Sequence, residues 1–167
     1  MKKIMLVLIA VIMLFTACSK NVNPIEKYSN VHFGMTKDEV TKALGTPKIV
    51  DNEAGMSYEY ANQKWFGLKG ENSTQYIFND DDLLYSIMVF YKMDNSEQYK
   101  TAYSAVKNEI TNYYSESNVT ENNNICSISE NDFFAMIFYT ENESANYGLA
   151  VHLEQKSLFT EPKTDTE

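Results

Sequence analysis

Apolar residues recur at helical spacing in two stretches of the chain. The first stretch follows Thr36, with Glu39 three residues later as in a capping box, and it stops at Gly45 and Pro47. The second stretch predicts a helix over residues 96–114, because its apolar positions recur every three or four residues. Its apolar face consists of Tyr99, Ala102, Tyr103, Val106, Ile110, Tyr113 and Tyr114.

Other segments alternate apolar and polar residues or are rich in β-forming residues, and they predict strands. Residues 83–91 are apolar at nearly every position, which indicates a central strand that is covered on both faces. Acidic and asparagine-rich turns separate several of these segments. The predicted strands are 56–61, 74–79, 83–91, 124–129, 133–140 and 147–154.

The order of these elements is one helix and three strands, followed by another helix and three strands. This order predicts an α+β fold of two tandem α-β-β-β modules with antiparallel sheet, one over residues 31–92 and one over residues 93–154. Each module is close to the lower size limit for an independent core. We therefore expect the two to share a sheet or to pack together.

The start of the chain has the composition of a targeting segment. Lys2 and Lys3 precede an apolar run over residues 4–15, which is too short to span a bilayer as a helix. The residues up to Cys18 resemble a bacterial lipobox, which implies that residues 1–17 are a signal peptide and that Cys18 carries a diacylglycerol. We expect residues 18–30 to be a lipidated N-terminus with a flexible tether, and residues 155–167 to be a disordered tail.

Composition excludes some partners. The formal net charge is −9, which argues against nucleic acid and against adhesion to anionic lipid through the protein surface. The chain contains no arginine, so no guanidinium group can hold a phosphate or a carboxylate in a bidentate way. The expected membrane contact is therefore the lipid on Cys18, on the outer, extracytoplasmic face of the cell membrane.

One segment resembles a known family. The stretch from Phe33 to Pro47, with Gly34-Met35-Thr36, Glu39-Val40 and Leu44-Gly45, resembles the GMT…EV…LG-P motif of the BamE/SmpA family of small envelope lipoproteins. The tandem module order is similar to the architecture of the β-lactamase-inhibitor protein. These resemblances imply a binding or scaffolding role without catalysis. Helix capping and termination also explain every position of the motif.

The sequence carries no recognisable catalytic or metal-binding motif. His32 and His152 are far apart and have no Cys or carboxylate at ligand spacing, and Asp80-Asp81-Asp82 lacks the pattern of a calcium loop. Cys126 is the only cysteine besides Cys18, so an intramolecular disulfide is not expected, and its strand context indicates a core position. We predict no catalytic residue, no metal site and no cofactor.

A partner-binding site is expected in the segment between the first two predicted strands. Trp65, the only tryptophan, stands beside Phe66 in a segment flanked by glycines, and aromatic clusters of this kind often form contact surfaces. The alternative is that Trp65 or Phe66 covers the edge of the core.

These observations favour a membrane-anchored extracytoplasmic lipoprotein that binds a protein or another envelope component and has no enzymatic activity. The alternative is an inhibitor or immunity-type protein against an extracellular enzyme, by analogy of architecture. A third hypothesis, an envelope hydrolase with an unrecognised pair of carboxylates, needs carboxylates that cluster in a pocket.

Overall fold

The computed structural model describes residues 24–52, 55–114, 118–122, 125–141 and 147–159. The predicted signal peptide, Cys18 and residues 160–167 lie outside this part of the chain. Within it, no helix is both long enough and apolar enough to cross a membrane.

The chain forms an α+β fold around one eight-stranded antiparallel sheet. The strands lie in the order β1-β2-β3-β4-β8-β7-β6-β5, so the first four and the last four meet at the β4–β8 pair. The helices are α1 (Pro24–Tyr28), α2 (Lys37–Leu44) and α3 (Ser96–Tyr113), and Lys156–Leu158 form a 3₁₀ turn. The strands are β1 (Lys48–Asn52), β2 (Gly55–Ala61), β3 (Asn72–Phe78), β4 (Leu84–Met93), β5 (Val119–Asn122), β6 (Ile125–Ser129), β7 (Phe133–Glu141) and β8 (Tyr147–Gln155).

The prediction of three strands after each helix was wrong, because four strands follow each of α2 and α3. The missed strands are β1 and β5, which form the two edges of the sheet. An edge strand pairs on one side only and needs little apolar surface. In β5, only the first residue, Val119, is partly buried. The alternation that marks a strand is therefore weak in both segments.

Both predicted helices are confirmed, together with their starting points. The Thr36 side chain accepts a hydrogen bond from the Glu39 amide and the Glu39 carboxylate accepts one from the Thr36 amide, which completes the capping box of α2. The helix α3 begins after Asn95, whose side chain accepts hydrogen bonds from two amides of the first turn. Its apolar stripe faces the sheet, and its buried residues are Tyr99, Ala102, Val106 and Ile110.

The core lies between the helices and one face of the sheet, which we call the helix face. The helix α3 packs on β4, β7 and β8. Directly paired residues of these strands point to the same face, so a single continuous layer forms beneath the helix. Its buried residues in the three strands include Ile87, Val89, Tyr91, Ala135, Ile137, Leu149, Val151 and Leu153.

The expected boundaries of the folded part were too narrow at both ends. Residues 24–30 do not belong to a flexible tether, because Pro24–Tyr28 form α1 and Ile25 is buried in the core. Lys27 of α1 also forms an ion pair with Glu109 of α3. At the other end, the Asn79 side chain donates a hydrogen bond to the Leu158 carbonyl, which holds the 3₁₀ turn beside the sheet. Segments this short carry no periodicity, so tertiary contacts decide their structure.

Candidate functional site

The face of the sheet opposite α3, which we call the open face, carries rows of apolar side chains across its centre. One row runs across β4, β8 and β7 through Phe90, Ala150 and Phe138, and these residues are direct partners. The neighbouring row is formed by Met88, His152 and Met136 in the same way. We define the open-face patch as Met88, Phe90, Phe134, Met136, Phe138, Ala150 and His152.

The open-face patch is not part of the hydrophobic core. None of its residues belongs to the cluster of buried side chains, and six of the seven remain partly exposed. Only Ala150 is buried, between the phenyl side chains of its two partners, Phe90 and Phe138. Contiguous apolar surface that remains in contact with water is a common feature of contact sites. Aromatic residues and methionine are enriched in such sites relative to the rest of a protein surface.

His152 is the central polar residue of the patch. The Ser86 hydroxyl oxygen lies 2.9 Å from His152 Nε2, and a carboxylate oxygen of Glu154 lies 3.4 Å from the same nitrogen. The ring of Phe134 stands edge-on to the imidazole, with 5.8 Å between the ring centroids. Burial lowers the pKa of His152 and raises the pKa of Glu154, so both groups are shifted toward their neutral forms.

The Ser86, His152 and Glu154 side chains do not form a nucleophilic triad. In a triad, the serine and the acid contact opposite nitrogens of the imidazole. Here both approach Nε2, and Ser86 is 1% exposed. Glu154 therefore does not hold the nitrogen opposite Ser86, and the buried serine has no access to a substrate. The arrangement instead fixes the orientation of the imidazole ring.

Trp65 and Phe66 are core residues in the structure. Trp65 is 0% exposed and Phe66 is 6% exposed, which corrects the expectation that they form an exposed contact surface. The chain turns back at Phe66 and Gly67, which both have positive φ angles, of 53° and 66°. Tyr91 donates a hydrogen bond of 2.8 Å to the Trp65 carbonyl, and this bond secures the loop against β4. The alternative derived from the sequence, that these residues cover the edge of the core, therefore describes them correctly.

A cavity of about 900 Å³ lies between the segment 68–71 and the first turns of α3. Its lining includes Lys69 and Lys92 together with Glu71, Asp94 and Glu97. Two of these side chains are positive and three are negative, and the first amides of α3 are already bonded to Asn95. The cavity therefore presents charges of both signs and no cluster of like charges.

The other candidate residues have structural roles. Cys126 is buried and burial raises the pKa of its thiol, which confirms the predicted core position. Asp82 forms an ion pair with Lys37, and the Asn79 side chain accepts hydrogen bonds from the amides of Asp81 and Leu83, as expected of a turn. Over the described ranges, no group of three His, Cys, Asp or Glu side chains could hold a metal ion.

The methionines and phenylalanines of the open face were not among the site residues predicted from the sequence. From the sequence, His152 was considered only for a catalytic or metal-binding motif, and its neighbours in the sheet could not be inferred. Met88 and Met136 become its partners only because β8 inserts between β4 and β7. The one available signal was the strand 83–91, in which apolar residues occupy both faces.

No protein family, no curated protein and no solved structure matches this chain.

Proposed function

We propose that this chain is a non-catalytic binding protein, anchored by lipid on the extracytoplasmic face of the cell membrane, and that it holds a protein partner on the open face of its sheet. The observation that carries the proposal is the open-face patch, a band of aromatic and methionine side chains outside the core. This surface replaces Trp65 and Phe66 as the expected contact site.

The residues of the patch suit recognition of a protein surface. Phenylalanine rings provide large apolar contact area with few rotatable bonds, while methionine adapts to irregular surfaces. The patch residues lie in rows of directly paired positions on β4, β8 and β7, which fixes the spacing of the side chains. A partner that covers it would remove the remaining exposed area of these residues from water, at roughly 25 cal/mol per Å² of apolar surface.

We also propose that the two halves of the chain are tandem modules related to the BamE/SmpA and β-lactamase-inhibitor architectures. Each half has a helix followed by four strands, and the strand order is the same when read inward from either edge of the sheet. The confirmed capping box of α2 occupies the segment that resembles the family motif. Duplication of one unit, with one copy in each half, accounts for the matching order of the strands.

A photo-crosslinking amino acid tests the binding surface. One variant carries it in place of Phe138 in the open-face patch. The matched control carries it in place of Ile49, which is 60% exposed on the helix-face side of edge strand β1. We expect irradiation of intact cells to link the Phe138 variant, but not the Ile49 variant, to one defined protein. Equal products from both positions, or none from Phe138, would contradict the proposal.

The identity of the crosslinked protein separates the two kinds of binder. If the partner is an enzyme and the purified chain lowers its activity, the inhibitor or immunity-type function is supported. If the partner has no activity or keeps it, the chain is a scaffold or a receptor-like binding module.

The anchoring has an independent test. Cys18→Ala removes the sulfur to which the diacylglycerol would be attached, and we expect the variant to leave the membrane fraction or to remain as an unprocessed precursor. Cys126→Ala is the matched control, because Cys126 is buried in the domain. Unchanged membrane retention and processing of the Cys18 variant would contradict lipid anchoring.

A further inference from the structure

The row Met88, His152 and Met136 places two thioethers on either side of one imidazole. Met88 and Met136 are both direct strand partners of His152, one on β4 and one on β7. Because directly opposed residues of antiparallel strands point to the same face, all three side chains project from the open face. All three are partly exposed, so the row can be reached from solvent.

The spacing of the row is suitable for a shared ligand. The β carbons of directly opposed residues lie about 4.5–5.5 Å apart. The methionine side chain has three rotatable bonds, so each sulfur atom can swing toward the imidazole without movement of the backbone. Two flexible sulfur atoms and one nitrogen can therefore converge on a single point above β8.

The contacts of His152 leave one ring nitrogen available. Ser86 and Glu154 both approach Nε2, and either oxygen can accept a proton that this nitrogen carries. Across the described ranges, Nδ1 has no hydrogen-bond partner, and its lone pair is free when Nε2 carries the proton. A carboxylate that holds the far nitrogen of an imidazole is the usual support of a metal-binding histidine.

From this geometry we infer a second property of the open face, namely that Met88, Met136 and His152 bind a soft monovalent cation, Cu(I) or its analogue Ag(I). Thioether sulfur selects Cu(I) among the first-row metals, and neutral imidazole accompanies it well. Zinc, magnesium and calcium prefer thiolate, carboxylate or several imidazole ligands, and this row offers none of these sets. The inference does not depend on the proposed protein partner.

The environment of the row supports this choice of ion. Phe134 stands beside the imidazole, and Phe90 and Phe138 form the neighbouring row. These apolar groups limit the access of water, which favours a weakly hydrated soft ion over a strongly hydrated one.

The test uses the full chain in detergent with Cys18→Ser, so that position 18 offers no sulfur atom. Cu(I) is titrated without oxygen in competition with a chromophoric Cu(I) chelator, and Ag(I) serves as the redox-inert probe. We expect one ion per chain. X-ray absorption of the copper complex should show two sulfur ligands and one nitrogen ligand.

Three variants locate the site. Met88→Leu combined with Met136→Leu keeps the side-chain volume and hence the fold, and we expect it to weaken Cu(I) binding by at least about tenfold. His152→Gln should weaken it to a similar extent. Met56→Leu is the matched control, because Met56 is exposed on the helix-face side of β2, and it should bind as the parent chain does.

Circular dichroism and the denaturation midpoint confirm that each variant is folded. Failure of the parent chain to compete with the chelator would overturn the inference. It would also be overturned if the double leucine variant bound Cu(I) as tightly as the parent, or if Met56→Leu weakened binding as much. Because these measurements use one purified chain, they leave the crosslinking result for the protein partner unaffected.

Discussion

The two faces of the central sheet are built by the same strands and differ in almost every respect. On the helix face, the residues of β4, β7 and β8 are aliphatic or aromatic and belong to the buried cluster. On the open face, the patch residues at alternate positions of the same strands are phenylalanine, methionine, histidine and alanine, and all but Ala150 remain partly exposed. The strand 83–91 is apolar throughout because it serves both faces. Continuous hydrophobicity therefore does not mean that both faces of this strand are covered by the protein itself.

The helix face is itself uneven. In the first half of the chain, β3 presents Thr74 and Tyr76, whose buried hydroxyls have no hydrogen-bond partner in the described part of the structure. In the second half, the outer neighbour of the central pair is β7, and it presents Ala135 and Ile137 beneath α3. An unpaired buried hydroxyl costs free energy of folding, so the first half is less well optimised than the second.

The largest expected effect is a difference in the free energy of unfolding between a substitution in the core and a substitution on the open face. Trp65→Ala removes a fully buried indole from the core and should lower the free energy of unfolding by about 3–5 kcal/mol. Phe138→Ala on the open face should cost less, because that ring already has part of its surface exposed to solvent. Urea denaturation of the two variants measures both values. Equal losses would mean that the open face is packed as tightly as the core.

The second effect is a dependence of stability on pH that arises from His152 on the open face. The pKa of His152 is lowered by burial, whereas the unfolded residue binds a proton below about pH 6.5. Protonation therefore favours the unfolded chain, and stability should fall as the pH is lowered from 7 to 5. His152→Gln should reduce that fall, which denaturation at both pH values measures.

The control for this experiment is His32→Gln, because His32 is exposed and far from the open face in sequence. It should leave the pH dependence as in the parent chain. The raised pKa of Glu154 acts in the opposite direction, since protonation of that carboxyl favours the folded chain. A steeper loss of stability in His152→Gln than in the parent would contradict the assignment.

The smallest effect concerns the unpaired hydroxyl of Thr74 on the helix face. Thr74→Val replaces it with a methyl group of similar shape, and we expect a gain in stability of up to about 1 kcal/mol. Thr120→Val on the exposed edge strand β5 is the matched control and should change little. Thermal denaturation compares the two. A clear loss in Thr74→Val would show that the hydroxyl has a partner, such as a buried water molecule.

Local patterns predicted much of the fold. The capping box of Thr36, the stripe of α3 and the alternation of the central strands are local signals, and all were confirmed. The edge strands and α1 were missed because their residues are placed by contacts distant in sequence. Ile25, for example, is buried, but nothing in its own segment marks it as a core residue.

The candidate site was less predictable for the same reason. Trp65 was predicted to bind a partner because it is the only tryptophan. A large aromatic residue is equally suited to a core, and the structure places Trp65 there. The open-face patch depends on the strand order, in which β8 lies between β4 and β7. No local pattern specifies that His152 has a methionine on each side.

The position of α1 sets a limit on where this protein can act. Its first residue, Pro24, follows the proposed lipid attachment site at Cys18 by six positions (24 − 18). Even a fully extended chain of that length reaches only about 20 Å. The start of the domain would therefore stay within about the thickness of one membrane leaflet from the membrane surface. At that distance the effective concentration of any membrane-bound partner is of order millimolar. Under that confinement, even a partner of modest intrinsic affinity would stay engaged.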